Sequence, residues 1–185
     1  MIINIHGFGG KGTNTKYIWL RTVYAEEEIY HKTFDYSRES PAVIFSHYAA
    51  KVEEGLARGE QVKIIGTSWG GFFAYCLNAR YPESPTILFN PSLNPHLSKR
   101  ILDVDLDILR AYTPLMGQYM LRHSDKCHVI VGEQDEVINH KYLTLPMFSP
   151  ANIHAFHLGH DFDIACEEGP QSLVVRIFKD SGDRK

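Results

Sequence analysis

Ser68, Asp135 and His160 are the residues whose types and order in this chain could carry out nucleophilic acyl chemistry. Ser68 is the centre of Gly66-Thr67-Ser68-Trp69-Gly70, which stands between a β-branched apolar run, residues 62–65, and an amphipathic stretch reaching Arg80. Strand, GxSxG and helix, in that order, are what a serine on a sharp strand-to-helix turn requires. The turn strains its central residue and crowds its flanks until only hydrogen fits there, a demand that Gly66 and Gly70 meet. Alone, GxSxG is a weak pattern, because a glycine-serine turn is often only a turn. The rest of the chain must supply a base and an acid.

A serine hydroxyl is a poor nucleophile near neutral pH, so it needs a base of pKa near 7 within hydrogen-bond reach, and histidine is that base. Of ten histidines, His160 in His157-Leu158-Gly159-His160-Asp161-Phe162 is assigned, because Gly159 gives the chain freedom to turn the next side chain inward. His157 is its rival. The imidazole needs a carboxylate to fix its tautomer and stabilise the imidazolium, which assigns Asp135 in Gly132-Glu133-Gln134-Asp135-Glu136-Val137. Glu133 and Glu136 compete with it and read as solvated surface carboxylates. The oxyanion of a tetrahedral intermediate needs donors already in place, and two backbone N–H groups fit: that of Trp69 and that of Phe8 in His6-Gly7-Phe8-Gly9-Gly10. Without Ser68 the glycine loop would read as a flexible turn.

These groups must be brought together by the elements around them. Short β-rich runs alternate with longer helical patterns, punctuated by glycine, proline, asparagine and serine. Strands are predicted over residues 2–5, 31–34, 62–65, 86–89, 126–131 and 152–156. Helices are predicted over 17–29, from a cap near Ser40 with Pro41 in the first turn to Ala57, over 69–80, and within 171–178. Such alternation implies parallel crossovers and a three-layer α/β sheet with helices on both faces, whose ligands bind beyond the carboxyl ends of the strands. Residues 92–124, with the helical pattern ILDVDLDILRAY, are too long for a simple connection and are expected to form a lid or cap over the site.

The 185 residues suffice for one domain with a sizeable core, residues 1–185, and no linker or repeat marks a second. A net charge of −3 gives no electrostatic reason to expect nucleic acid or an anionic membrane as partner. Cys76, Cys127 and Cys166 are an odd number without metal-ligand spacing, and read as reduced packing residues. The amino terminus has no basic segment followed by an apolar core, and no apolar run is long enough to span a bilayer. A cytoplasmic protein is expected.

Taken in order, HGFGG, GTSWGG, FNPSLNP, GEQDEV and LGHDF resemble the YqiA-like small bacterial esterases of the α/β-hydrolase superfamily. The motifs span residues 3–162. The resemblance implies an abbreviated, mostly parallel α/β-hydrolase sheet, carboxylic-ester or thioester hydrolysis, no metal or organic cofactor, and a triad of Ser68, Asp135 and His160 in the chain order α/β hydrolases use. Asn90-Pro91 matches a family loop beside the site, with no chemical role assigned.

Two other functional classes compete. Residues 7–12 satisfy GxGxxG after a first strand, and Asp35 follows a second strand as a ribose-binding acid would, so a dinucleotide-binding protein is the main alternative. It leaves Ser68, Asp135 and His160 unexplained. A catalytically silent hydrolase-fold binding protein is the other. His154, His157 and His160 recur every three residues, but Gly159 interrupts any helix that would align them as metal ligands.

Overall fold

Ile2-Ile3-Asn4-Ile5 is buried at every position, the pattern of a strand covered on both faces. It is β1 (Ile2–Ile5), joined in one sheet by β2 (Ile29–His31), β3 (Lys63–Thr67), β4 (Thr86–Phe89), β5 (Cys127–Gly132) and β6 (Ile153–Phe156). All pairings are parallel, in the order β2-β1-β3-β4-β5-β6. The helices are α1 (Thr15–Val23), α2 (Pro41–Ala57), α3 (Trp69–Arg80), α4 (Leu106–Arg110), α5 (Thr113–Tyr119), α6 (His140–Leu143) and α7 (Glu168–Asp180). This computed structural model describes residues 1–100 and 104–180, with only the backbone of residues 98–100.

Side chains leave the strands alternately for two cores. Ile3, Ile5, Ile64, Leu88, Val129 and Val131 join the core that α2 and α3 cover with Ile44, Tyr48, Val52, Phe72 and Phe73. Ile2, Ile65, Ile87, Phe89 and Ile130 join the opposite core, which α1 and α7 cover with Trp19, Leu20, Leu173, Val174 and Phe178. The result is the three-layer α/β architecture that the alternating sequence implies.

The first helix and second strand differ from the reading of the sequence. α1 ends at Val23, where Tyr24 N–H closes the last turn on Leu20, and β2 begins at Ile29. The acidic residues between them serve charges at the amino ends of β1 and β3 instead of extending the helix: Glu27 lies 2.6 Å from Lys63 Nζ and 3.7 Å from the terminal amine of Met1. α2 starts at Pro41 as expected, although the Ser40 side chain makes no capping bond.

Residues 92–124 hold a 3₁₀ turn (Pro95–Arg100), α4 and α5. Val104, Leu109, Tyr112, Leu115 and Tyr119 are buried in the α2/α3 core, and the Tyr112 ring stacks on Trp69 at 5.5 Å. The start of the predicted helical pattern, residues 101–103, lies outside the described residues; helix begins at Leu106, where Asp105 accepts from the amide of Asp107. Among the described residues no helix is long and apolar enough to cross a membrane. All three cysteines are free, but Cys166 is exposed and does not pack as expected.

Candidate active site

After β1 the chain steps to β2 on one side, and after β2 it crosses back to β3 on the other. The loops following β1 and β3 therefore diverge at the carboxyl end of the sheet, which opens a crevice between neighbouring strands. Ser68 stands there, directly after β3, with φ 50° and ψ −118°. Such a conformation costs about 1–3 kcal/mol and persists only where its surroundings impose it. Here the Ser68 amide donates to Phe89 O, while its carbonyl accepts from Gly71 and Ser92. A Cβ at Gly70 would lie 2.3 Å from the carbonyl oxygen of His6, and one at Gly66 would lie 2.5 Å from Ala74 Cβ. The elbow closes only because both flanks are glycine.

The Ser68 side chain does not cap α3. Its Oγ lies 3.1 Å from His160 Nε2, and His160 Nδ1 lies 2.7 Å from Asp135 Oδ2. A carboxylate oxygen only accepts, so Nδ1 carries the proton and Nε2 presents its lone pair to the serine. Asp135 Oδ1 accepts from the amides of Val137 and Ile138, each at 2.8 Å, and Oδ2 accepts from His140 Nε2 as well as from His160. Burial alone would raise the Asp135 carboxyl; the bonds from His140, His160 and Ile138 outweigh it and hold the group well below the usual carboxylate range. Asp135 is thereby an anion held by two imidazoles and two amides.

His160, not His157, reaches the serine. The His157 side chain is 77% exposed, near Gln134 Nε2 at 2.9 Å and Glu133 at 3.8 Å. Gly159, expected to turn the next side chain inward through its conformational freedom, has no positive φ. Asn90 holds the loop instead. Its Nδ2 donates to Gly159 O at 3.0 Å and His160 O at 2.8 Å, and its Oδ1 accepts from Gly132 N at 2.7 Å. Glu136 and Glu133 are exposed as expected, although Glu136 Oε2 also accepts from the His160 amide.

The glycine loop after β1 runs beside the elbow: a Cβ at Gly7 would sit 3.2 Å from Ser68 Cβ. The Phe8 and Trp69 rings meet at 4.8 Å. Among the described residues no protein group accepts from the amide of either residue. His6 fixes this loop: Nδ1 donates to Gly7 O at 2.7 Å and Nε2 accepts from Phe34 N at 2.9 Å. A histidine ending a strand just before a glycine run was the available signal for it, and an asparagine-proline pair ending a strand was the signal for Asn90.

Ser68, Phe8 and Val137 border two cavities. One, of about 200 Å³, is walled by Trp69, Leu93, Leu97, Val137, Ile138 and Leu143. The other, of about 710 Å³, is lined by Asn14, Lys16, His160, Asp161 and Asp163. Burial lowers the Lys16 ammonium to about 8 against the opposing pull of Asp161 and Asp163, and its Nζ donates to Phe162 O at 2.8 Å.

The residues of the competing readings do not converge. Asp35 is exposed and bonds Ser37, while Gly12 turns its amide to Thr33 and Asn14 caps α1. His154 stacks on His128, His157 faces solvent and His160 faces Ser68.

The model of the uncharacterised protein family UPF0227 matches residues 1–152. No curated protein matches the chain significantly. Among solved structures, the metagenome-derived lipolytic enzymes LipS and LipT give a match of TM-score 0.69 at 15% identity, covering 96% of this chain and 93% of that one. Est1E from Butyrivibrio proteoclasticus, bound to ferulic acid, matches at 0.68 and 14%, covering 96% and 88%. A monoacylglycerol lipase of Paleococcus ferrophilus matches at 0.67 and 15%, covering 95% and 93%. At these identities the similarity establishes a shared fold.

Proposed function

Because this chain belongs to the UPF0227 family, the YqiA family its motifs resemble, and carries the α/β-hydrolase fold, we propose that it is a serine hydrolase of carboxylic esters or thioesters. The observation that carries this reading is the unbroken hydrogen-bonded line from Ser68 Oγ through His160 to Asp135 Oδ2. A buried line of alcohol, imidazole and carboxylate, ending at a strained serine, is the arrangement that makes a hydroxyl nucleophilic.

In the proposed cycle Ser68 Oγ attacks the substrate carbonyl carbon while its proton passes to His160 Nε2. Asp135 stays ionised and stabilises the imidazolium. The carbonyl oxygen becomes an oxyanion and accepts from the Phe8 and Trp69 amides, which need no reorganisation. Collapse breaks the bond to the alcohol or thiol, which leaves with the proton from His160. Water then attacks the acyl-enzyme, giving its proton to His160, and the second collapse returns that proton to Ser68 and frees the acid. The smaller cavity, walled by leucines, takes the acyl chain, and the larger one, which carries Lys16, Asp161 and Asp163, takes the leaving group. The wall that residues 92–124 contribute through Leu93 and Leu97 acts as the cover of the acyl site.

The test is turnover of chromogenic esters. Ser68→Ala lowers kcat by about ten-thousand- to million-fold while the circular dichroism spectrum and melting temperature stay close to wild type. Undiminished turnover in that variant refutes the proposal. Asp135→Asn and His160→Ala are severely impaired, and His157→Ala is not.

A further inference from the structure

His140 is a second histidine on the carboxylate of Asp135, and the reaction above gives it no task. It opens α6, five residues after Asp135, and its side chain is only 5% exposed. Its Nε2 lies 2.8 Å from Asp135 Oδ2, the same oxygen that His160 Nδ1 approaches at 2.7 Å. Its Nδ1 lies 2.8 Å from the hydroxyl of Thr144, which is also buried. Since a carboxylate oxygen only accepts, the Nε2 proton points at Asp135, and Thr144 O–H donates to the remaining lone pair. Four donors therefore surround one carboxylate: two amides on Oδ1 and two imidazoles on Oδ2.

The two amides fix Oδ1, but without His140 the other oxygen would have His160 as its one donor. The second imidazole fixes Oδ2 from the side that His160 leaves open. It also draws part of the negative charge of Oδ2 to itself, so that less of it remains to favour protonation of His160. We propose that His140 is a positioning residue of the active site: its Nε2–H clamps Asp135 Oδ2, aligns the carboxylate on His160, and restrains how strongly His160 holds the proton taken from Ser68. This inference rests on the serine-hydrolase reading and adds a member to its hydrogen-bonded line.

The experiment compares wild type, His140→Phe and His140→Gln. Phenylalanine fills the same space without a donor, whereas the glutamine amide donates from about the position of Nε2 and does not titrate. Other titratable groups around the cluster are common to all three proteins: Glu136 and Asp161 beside His160, Lys16, Asp163 and His6 across the larger cavity, and Lys141 beside His140. Their contributions therefore cancel in the comparison.

In His140→Phe, kcat for a chromogenic ester falls about ten- to a hundredfold, the usual cost of losing a partner that orients a reacting group, and KM is unchanged. Its acid limb of kcat/KM moves upward by about one pH unit, because an Asp135 relieved of one donor favours protonated His160 more strongly. His140→Gln restores most of kcat and returns the acid limb toward the wild-type position, which a role in packing alone would not do. Proton NMR of the wild type shows low-field imidazole N–H resonances assigned to His160 and to His140, beside that of His6, and His140→Gln loses the His140 line alone. That spectrum decides the matter even if the phenylalanine variant fails to fold.

A wild-type acid limb and kcat in His140→Phe, or a wild-type spectrum in which His140→Gln removes no low-field line, overturns the proposal while leaving an active enzyme. A wild type that turns over no ester overturns this inference together with the reading beneath it.

Discussion

Asn90 Nδ2 donates to the main-chain oxygen of His160 at 2.8 Å, joining the end of β4 to the loop that carries the imidazole. Asn90 is fully buried and sits at φ 42°, a left-handed conformation that asparagine tolerates better than most residues. With the amide of Gly132 on its Oδ1, it ties together the ends of β4 and β5 and the loop after β6. The position of His160 is set from outside its own loop.

Asn90→Ala therefore strikes stability and activity together. It strands the Gly132 amide and two carbonyl groups in the interior, where each unsatisfied group costs about 1–3 kcal/mol. A loss of roughly 3 kcal/mol of unfolding free energy is expected, read as a lower urea midpoint, with kcat falling while KM changes little. A midpoint within experimental error of wild type contradicts this role.

Gly70→Ala is expected to prevent folding. Its methyl group would meet the backbone oxygen of His6 at 2.3 Å and that of Ile5 at 2.5 Å, and neither can move without breaking the sheet. Gly9→Ala is the contrast. Gly9 lies at φ 66° with nothing within 4 Å of the added carbon, so only the left-handed strain of about 1–2 kcal/mol is expected. Expression and thermal melting of the two variants separate steric exclusion from conformational strain.

Stability falls on acidification in two stages. Burial lowers the folded-state pKa of His6 from 6.5, against the opposing hydrogen bond with Gly7, and His47, His123 and His154 shift the same way through burial. Groups depressed on folding contribute stability that is present above their unfolded pKa and lost as pH falls through the folded value. The first loss therefore begins below about pH 6.5. Asp135, depressed from 3.8, adds a second loss only in stronger acid. Urea midpoints measured from neutral to acid pH show both stages, and His6→Gln, less stable at neutral pH, has the shallower first stage. A first stage as steep in His6→Gln as in wild type counts against a buried neutral His6.

Leu97 and Leu143 stand at the exposed rim of the smaller cavity. Leu97→Trp narrows that cavity, and in a series of 4-nitrophenyl esters from acetate to dodecanoate it moves the best substrate toward shorter chains, with little effect on the acetate. An unchanged chain-length profile places the acyl group elsewhere.

Much of this site was legible in the residues because its parts are local. Gly66, Ser68 and Gly70 constrain one another within five positions, and alternating strand and helix patterns sufficed to send Ser68, Asp135 and His160 to one end of the sheet. What escaped were residues whose partners are distant in sequence. Asn90 acts on a loop 69 and 70 positions away, and His6 acts on Phe34. His140, hidden among ten histidines, is identified only by sharing an oxygen with His160. Gly159 has no positive φ, and the hydrogen bonds of Asn90 hold that loop from a distance in sequence. α1 ends sooner than its sequence suggests, because Glu27 and Glu28, which favour helix by themselves, here pair with Lys63 and Arg58.

The most direct test of a nucleophilic Ser68 is covalent. A fluorophosphonate probe, followed by peptide mapping, is expected to label wild type at Ser68 with one adduct per chain, to label His160→Ala far more slowly, and to leave Ser68→Ala unmodified. Recovery of the adduct on any other residue, or an esterase that turns over substrate yet never takes the label, contradicts the account.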